Sequence, residues 1–397
     1  LHFHTQFNRD IPWDKIDMNF MNLNQSAHGG REFGFISSRM RIGRKVVVGH
    51  WQDSEAIDKI AIWARAAVAF DDTRRLKVAR FGDNMREVAV TEGNKVSAQI
   101  KMNYSVYGFG VGDLVKEIES VSESQVDKLL GIYREEYILQ DGAEGSPGLR
   151  EAARIEAGLE SFLVKGGFSA FTTTFEDLQG LSQLPGIAVQ RLMAKGYGFG
   201  AEGDWKTAAL VRSMYVMATG LKGGTSFMED YTYHLDPDNM AVLGAHMLEV
   251  CPSITTGTVR LEIHPLSIGG KDDPPRLVFK ADPGRALNAS LIDLGSRFRM
   301  LVNCVNVVEC PDMPLLPVAS VLWKPEPDLK TSAEAWILAG GAHHTGFSQA
   351  LTADYLEDFS NMLGIEFLAI REGVSIPEFK DKIRFNEIYY YFNRGLY

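Results

Sequence analysis

Two glutamates stand among glycines and apolar residues. Glu202 lies in Gly-Tyr-Gly-Phe-Gly-Ala-Glu-Gly-Asp-Trp-Lys (196–206), and Glu229 in Gly-Gly-Thr-Ser-Phe-Met-Glu-Asp-Tyr-Thr-Tyr (223–233). A carboxylate in such company is costly to bury unless a metal, a hydrogen bond or a proton compensates it. Downstream come His246, after an apolar run, and the pair His343-His344 in a small-residue stretch read as a loop (339–345). Adjacent histidines on a loop usually send their rings different ways, so one of the two is a metal ligand at most, and the other is free to meet a substrate. Two Glu and two His form a mixed O/N donor set. Such a set suits Mn²⁺, Co²⁺, Fe²⁺ or Zn²⁺ better than an all-oxygen calcium site or a thiolate zinc site. The spacings match no local zinc motif, so the fold must assemble any site.

Each residue also has a plainer reading. Glu202 is a carboxylate at a helix start, with Asp204 as the N-cap. Glu229 shares one strand face with Phe227 and Tyr231, and Asp230 points away as a structural hydrogen-bonder. A buried His246 can be satisfied by a backbone carbonyl. Gly198-Phe199-Gly200-Ala201-Glu202-Gly203 matches the dinucleotide pattern G-x-G-x-x-G and precedes a helix. The fingerprint needs an apolar strand running into its first glycine, whereas 190–196 reads as a helix end, so a tight strand-to-helix turn is the better reading. Gly269-Gly270-Lys271-Asp272-Asp273-Pro274 lacks the features of a P-loop. Among the other histidines His28 has the best case, in the polar, glycine-ended stretch Asn24–Gly30, read as a loop.

The elements that must position these residues alternate at first. A strand at 45–49 and a helix from Ser54 form a βα unit. A strand at 76–81, helices near 113–121, 124–137 and 149–165, a strand at 168–175 and helices at 186–195 and 204–219 follow. This alternation predicts a parallel sheet flanked by helices. From 224 to 340 short β-rich segments (225–233, 241–250, 255–264, 276–281, 287–293, 297–308) follow one another without helices, which predicts an antiparallel, barrel-like sheet. Helix, strand (365–370) and helix close the chain. The expected divisions are 1–72, the remainder of an N-terminal α/β domain, 73–223, a middle α/β domain, and 224–397, a β-rich domain with terminal helices.

The 397 residues carry 51 acidic and 41 basic side chains, a net charge of −10, which argues against a nucleic-acid partner. Three cysteines, none in C-x-x-C spacing, fit a reducing compartment rather than a disulfide framework. No apolar run spans a membrane and no signal peptide is apparent, so the expected location is the cytoplasm. The chain opens Leu-His-Phe-His without an initiator Met, and residues before it are expected.

Tyr197–Thr207, Thr225–Tyr233, Ala245–Pro252 and Gly341–Thr345 closely resemble L-arabinose isomerase, as do His4–Asn8 and Asn22–Gly29. The similarity spans the chain. It implies a three-part fold and a hexamer with active sites between subunits. It further implies conversion of L-arabinose to L-ribulose, with D-galactose to D-tagatose as a side reaction, through an enediol. By resemblance Glu202, Glu229, His246 and His344 are ligands of a Mn²⁺ ion, with Co²⁺ or another divalent ion as alternatives. Glu202 and Glu229 are the acid/base pair, their order open. His343 touches the sugar; Met85, Phe175, Phe227, Leu243 and Ile268 line its pocket; His28 comes from a neighbouring subunit. Family members also carry a further N-terminal Rossmann-like stretch, with a sugar-holding glutamine, that has no counterpart here. The rival readings are an L-fucose isomerase-like enzyme, an NAD-dependent dehydrogenase using 198–203, and a non-catalytic sugar-binding protein.

Overall fold

The computed structural model describes residues 1–266, 268 and 270–392. At the N-terminal end, strand His2–His4 pairs in parallel with Val46–Val48. Helix Ser54–Thr73 follows, its start fixed by Asp53, whose carboxylate accepts from the Glu55 amide at 3.1 Å. Its small residues Ala66 and Ala69 are fully buried, in one core with Trp205, Met214, Val302 and Phe359. The stretch Asn24–Gly30 is not a loop: residues 26–39 form a helix, Ser26–Arg39. Its glycines were misleading because Gly30 serves close approach. A Cβ there would lie 2.1 Å from Nδ1 of His4.

The middle of the chain forms the expected parallel sheet, in the order Ser105–Phe109, Lys77–Phe81, Ala170–Thr172, Gly198–Gly200. Helices Val111–Glu119 and Pro147–Gly166 close over Phe81, Phe171 and Phe199, which are all buried. Helix Pro147–Gly166 shows why its ends were legible. Ser146 caps the Leu149 amide at 3.2 Å, Pro147 takes the first turn, and Gly167 stops the helix at φ +65°.

The β-rich part is a seven-stranded sheet. Its order is Gly284–Asp293, His344–Ser348, Thr225–His234, Ala241–Ala245, Ser320–Pro325, Phe298–Val308, Glu366–Ile370. The sheet is mixed rather than purely antiparallel, because Glu366–Ile370 runs parallel to Phe298–Val308. Gly284–Asp293 also pairs with Phe298–Val308, so the pairing returns on itself. Among the described residues of 224–340 one α-helix interrupts the strands, contrary to the sequence reading. It is Leu329–Leu338, started by Asp328, which accepts from the Thr331 amide at 2.9 Å. No helix of the described residues is long and apolar enough to cross a membrane.

Glu366 ties the last strand to its surroundings. Its side chain, 1% exposed, accepts from Arg297 at 2.5 Å, Asn386 at 2.8 Å and Arg299 at 3.0 Å. Burial alone raises this carboxyl's pKa, but the bonds from Arg299 and Arg297 outweigh it and hold the group below the ordinary value. A depressed carboxylate adds stability above its unfolded pKa and loses it as pH falls through the folded one. Glu366→Gln should therefore cost about 3 kcal/mol at neutral pH, the order seen when one partner of a buried pair is removed. The deficit should shrink below about pH 4. Denaturant titrations at the two pH values check this, and equal deficits would contradict it.

Candidate active site

Strand Gly198–Gly200 runs into a turn carrying Glu202, and helix Trp205–Ala218 begins at once, capped by Asp204. Glycine is needed at three places. A Cβ on Gly198 would lie 2.1 Å from the Ala208 carbonyl, one on Gly200 2.3 Å from that of Asp204, and one on Gly203 (φ +79°) 2.6 Å from Asn84 Cα. The glycine run thus packs strand against helix and loop, and the space over it that a dinucleotide would need is filled by backbone. Glu202 itself has φ +59°, a left-handed conformation costly for a non-glycine residue. Its carbonyl accepts from the Met85 amide at 3.0 Å.

The large sheet supplies the rest. Glu229 is paired across the ladder with His344 on one side and Ala245 on the other, and His246 follows Ala245 directly. Phe227 lies edge-on to both imidazoles, 5.0 Å from each ring centre, and Phe175 stacks on His246 at 6.2 Å. Glu202 Oε2 approaches His343 Nε2 to 3.5 Å and His344 Nε2 to 3.6 Å. Glu229 Oε2 lies 3.6 Å from His246 Nε2. The rings of His246 and His344 are 5.9 Å apart, so the two groups adjoin.

A second layer turns both buried histidines the same way. His246 Nδ1 is hydrogen-bonded to Glu249, which also accepts from the Leu248 amide at 3.0 Å. His344 Nδ1 faces Asp204 at 3.4 Å, and Asp204 lies 3.2 Å from the Lys206 ammonium. A carboxylate on Nδ1 keeps the proton there and leaves the Nε2 lone pair for an electrophile. Glu202 Oε2 and His344 Nε2 are both buried without a hydrogen-bond partner. Two lone pairs left facing each other are what a divalent cation would satisfy. The donor atoms of Glu202, His343 and His344 lie within 4.8 Å of one another, close enough for one ion.

The protonation pattern reflects this crowding. Burial lifts the Glu202 carboxyl, but the approach of His343 and the charges of His344 and His246 outweigh it and hold its pKa below the ordinary value. His343 is raised, chiefly by the adjacent Glu202 carboxylate. Burial depresses His344 against the pull of Asp204. Burial works the same way on His246, but Glu249 overcomes it and the pKa rises. Burial and the adjacent Glu229 push Asp230 up to about 7. Asp230 was expected to be a structural hydrogen-bonder; instead its Oδ1 is buried without a partner.

Of the residues singled out from sequence, Glu202, Glu229, His246, His343, His344, Met85, Phe175 and Phe227 come together. Within reach of one ion, Glu202 and His344 are joined by His343, while Glu229 and His246 form the adjoining pair. His344 opens a strand rather than lying in a loop. Leu243 is on the sheet face of Glu229, opposite Thr232. His28 is exposed on helix Ser26–Arg39, and Ile268 is half-buried in a bend. Neither enters the cluster's hydrogen bonds, ion pairs or ring contacts among the described residues. Sequence reasoning missed Glu249, whose signal was its place three residues after His246, and the contact of Asp204 with His344, which has no local signal.

The cluster sits where two segments of the chain meet, and known proteins divide at the same place. The L-arabinose isomerase central domain matches residues 77–220 and the C-terminal domain of that enzyme matches 224–366, with its N-terminal domain matching 1–75. The chain belongs to the L-arabinose isomerase family. It is 64% identical to the L-arabinose isomerase of Geobacillus stearothermophilus over 395 residues, 98% of this chain and 79% of that protein. Identity is 62% to the Anoxybacillus flavithermus enzyme over 401 residues, and 60% to the Herpetosiphon aurantiacus enzyme over 400, each match covering 100% of this chain and 80% of the relative. Within the family's division Glu202, Met85 and Phe175 come from the central domain, and Glu229, His246, His343 and His344 from the C-terminal one.

Proposed function

We propose that this protein is a metal-dependent aldose–ketose isomerase that converts L-arabinose to L-ribulose, and D-galactose to D-tagatose, through an enediol. The observation that carries the reading is the meeting of two Glu–His groups, Glu202 with His343 and His344, and Glu229 with His246, at one domain junction. Glu202, Glu229, His246 and His344 would hold the ion, Mn²⁺ by preference and Co²⁺ as an alternative. When bound, such an ion supplies carbonyl polarisation and a lowered hydroxyl pKa.

The reaction moves one proton from C2 to C1 and another from the C2 hydroxyl to the C1 oxygen. A carboxylate takes the carbon-bound proton, exchanges it with solvent and delivers a proton to the neighbouring carbon, and a second acid/base group serves the oxygens. Glu202 and Glu229 carry these roles. His343, with a side chain 35% exposed on the open side of the cluster, holds a sugar hydroxyl. Phe227, Phe175, Met85, Leu243 and Ile268 line the apolar side of the sugar. His28 is supplied by a neighbouring subunit of a hexamer, which accords with its exposure away from the cluster. We read the chain as three domains, 1–72, 73–223 and 224–397, the last barrel-like by its closed ring of pairing, in a cytoplasmic enzyme.

Incubation of the metal-loaded protein with L-arabinose in D₂O, without nicotinamide, tests the reading. L-Ribulose carrying deuterium at C1 is the expected product. A ketose retaining the original hydrogen would sink the enediol route. Dependence on NAD, or faster turnover of L-fucose, would favour the rival enzymes.

A further inference from the structure

We infer that Asn84 and Lys206 are positioning residues that hold Glu202 and His344 in place by gripping one shared backbone carbonyl, that of Thr91. The inference rests on the reading of Glu202 and His344 as metal ligands. All three residues are buried: Asn84 is 6% exposed, Lys206 2% and Thr91 0%.

The amide nitrogen of Asn84 donates to the Thr91 carbonyl at 2.7 Å and to the Gly203 carbonyl at 3.1 Å. The Lys206 ammonium donates to the same Thr91 carbonyl at 2.8 Å and to that of Glu92 at 2.7 Å, and it lies 3.2 Å from Asp204 Oδ1. An amide NH₂ has two donors and an ammonium three. Both amide donors and two of the ammonium's three are committed here, and the ammonium is also ion-paired with Asp204. Arg80 donates to the Asn84 side-chain oxygen at 2.5 Å, which fixes the orientation of the amide.

The consequences run in two directions. Toward Glu202, the loop holds the two successive peptides that follow it, since Met85 donates to the Glu202 carbonyl at 3.0 Å while Asn84 holds that of Gly203. That grip opposes relaxation of a left-handed residue flanked by a glycine. Toward His344, Lys206 occupies Oδ1 of Asp204 and leaves Oδ2 for His344 Nδ1 and the Thr207 hydroxyl, at 3.4 and 2.7 Å. One carbonyl therefore registers the carboxylate and the imidazole against each other, although neither Asn84 nor Lys206 faces the cluster.

The test compares Asn84→Asp, which keeps the shape and the acceptor for Arg80 but removes both donors, with Lys206→Met. Leu159→Ala, in the remote helix core, serves as a purely structural control. Mn²⁺ affinity, read from free-ion electron paramagnetic resonance, should fall about 10–100-fold in both grip variants, the range for residues behind metal ligands. The kcat should fall with it, while KM for L-arabinose stays within about twofold. Leu159→Ala should lower the melting temperature and leave Mn²⁺ affinity unchanged. Folded Asn84→Asp and Lys206→Met proteins that bind Mn²⁺ like the wild type would overturn the inference. Should Lys206→Met fail to fold, Asn84→Asp decides alone. A wild type that binds no Mn²⁺ would instead sink the metal reading. The grip is then judged by hydrogen exchange of the Met85 and Gly203 amides: exchange faster in Asn84→Asp than in Leu159→Ala supports it, and equal exchange overturns it.

Discussion

Glu202→Gln is expected to fold like the wild type and to turn over L-arabinose about a thousandfold more slowly, within the range that loss of a positioned acid/base group produces. The substitution keeps the volume and one acceptor oxygen, so the turn before helix Trp205–Ala218, with its Asp204 cap, has no reason to rearrange. What disappears is the ability to take a proton and the charge that faces His343 and His344. The second loss has its own readout. The pKa of His343 is raised chiefly by the adjacent Glu202 carboxylate, so in the metal-free variant that imidazole should titrate lower, as followed by NMR. A normal melting temperature, a lowered His343 pKa and a collapsed kcat would together assign the chemistry to Glu202. Wild-type turnover would remove Glu202 from the mechanism. Parallel measurement of Glu229→Gln, with deuterium exchange at C2 as the readout, separates the group that takes the carbon proton from its partner.

Much of this site could be read before any coordinates because its residues violate local expectation. Glu202 among glycines and Glu229 between aromatics are costly where they stand, and the cost shows in the sequence. The helices with Ser, Asp or Pro at the start and Gly at the end were legible for the same local reason. What failed were judgements that depended on distant partners. Gly29 and Gly30 read as a loop because nothing in the sequence says that His4 will lie against Gly30. Helix Leu329–Leu338 was lost among strands, although Asp328 and Thr331 form an ordinary cap. No local signal marks Lys206 as buried, yet it is, because the 91–92 carbonyls that take its ammonium come from another part of the chain. Asp204 was recognised as a cap, but its bond to His344 crosses from the parallel sheet to the large one. Local chemistry is written locally, whereas the layer behind the ligands is written only in the fold.

Exhaustive chelation should abolish ketose formation, to about a hundredth of the starting rate or less, and Mn²⁺ or Co²⁺ should restore it where Ca²⁺ does not. Two imidazole donors favour borderline cations over a hard one that prefers six to eight oxygens. The protonation of the cluster's own residues indicates what must leave when an ion enters. His246 and His343 have raised pKa values because carboxylates face them, so near pH 6 protons occupy part of the place an ion would take. Ion binding must then release protons, and affinity should rise with pH until those imidazoles are neutral. Calorimetry in buffers of different ionisation enthalpy measures that release directly. Because the unfolded chain does not assemble the cluster, free ion at a hundred times Kd should stabilise the native state by about 2.7 kcal/mol. That gain should vanish in His344→Ala, which removes one of the two unpartnered lone pairs. Full activity after chelation, with elemental analysis showing no residual metal, would contradict the metal assignment. An equal thermal gain in His344→Ala would place the ion elsewhere.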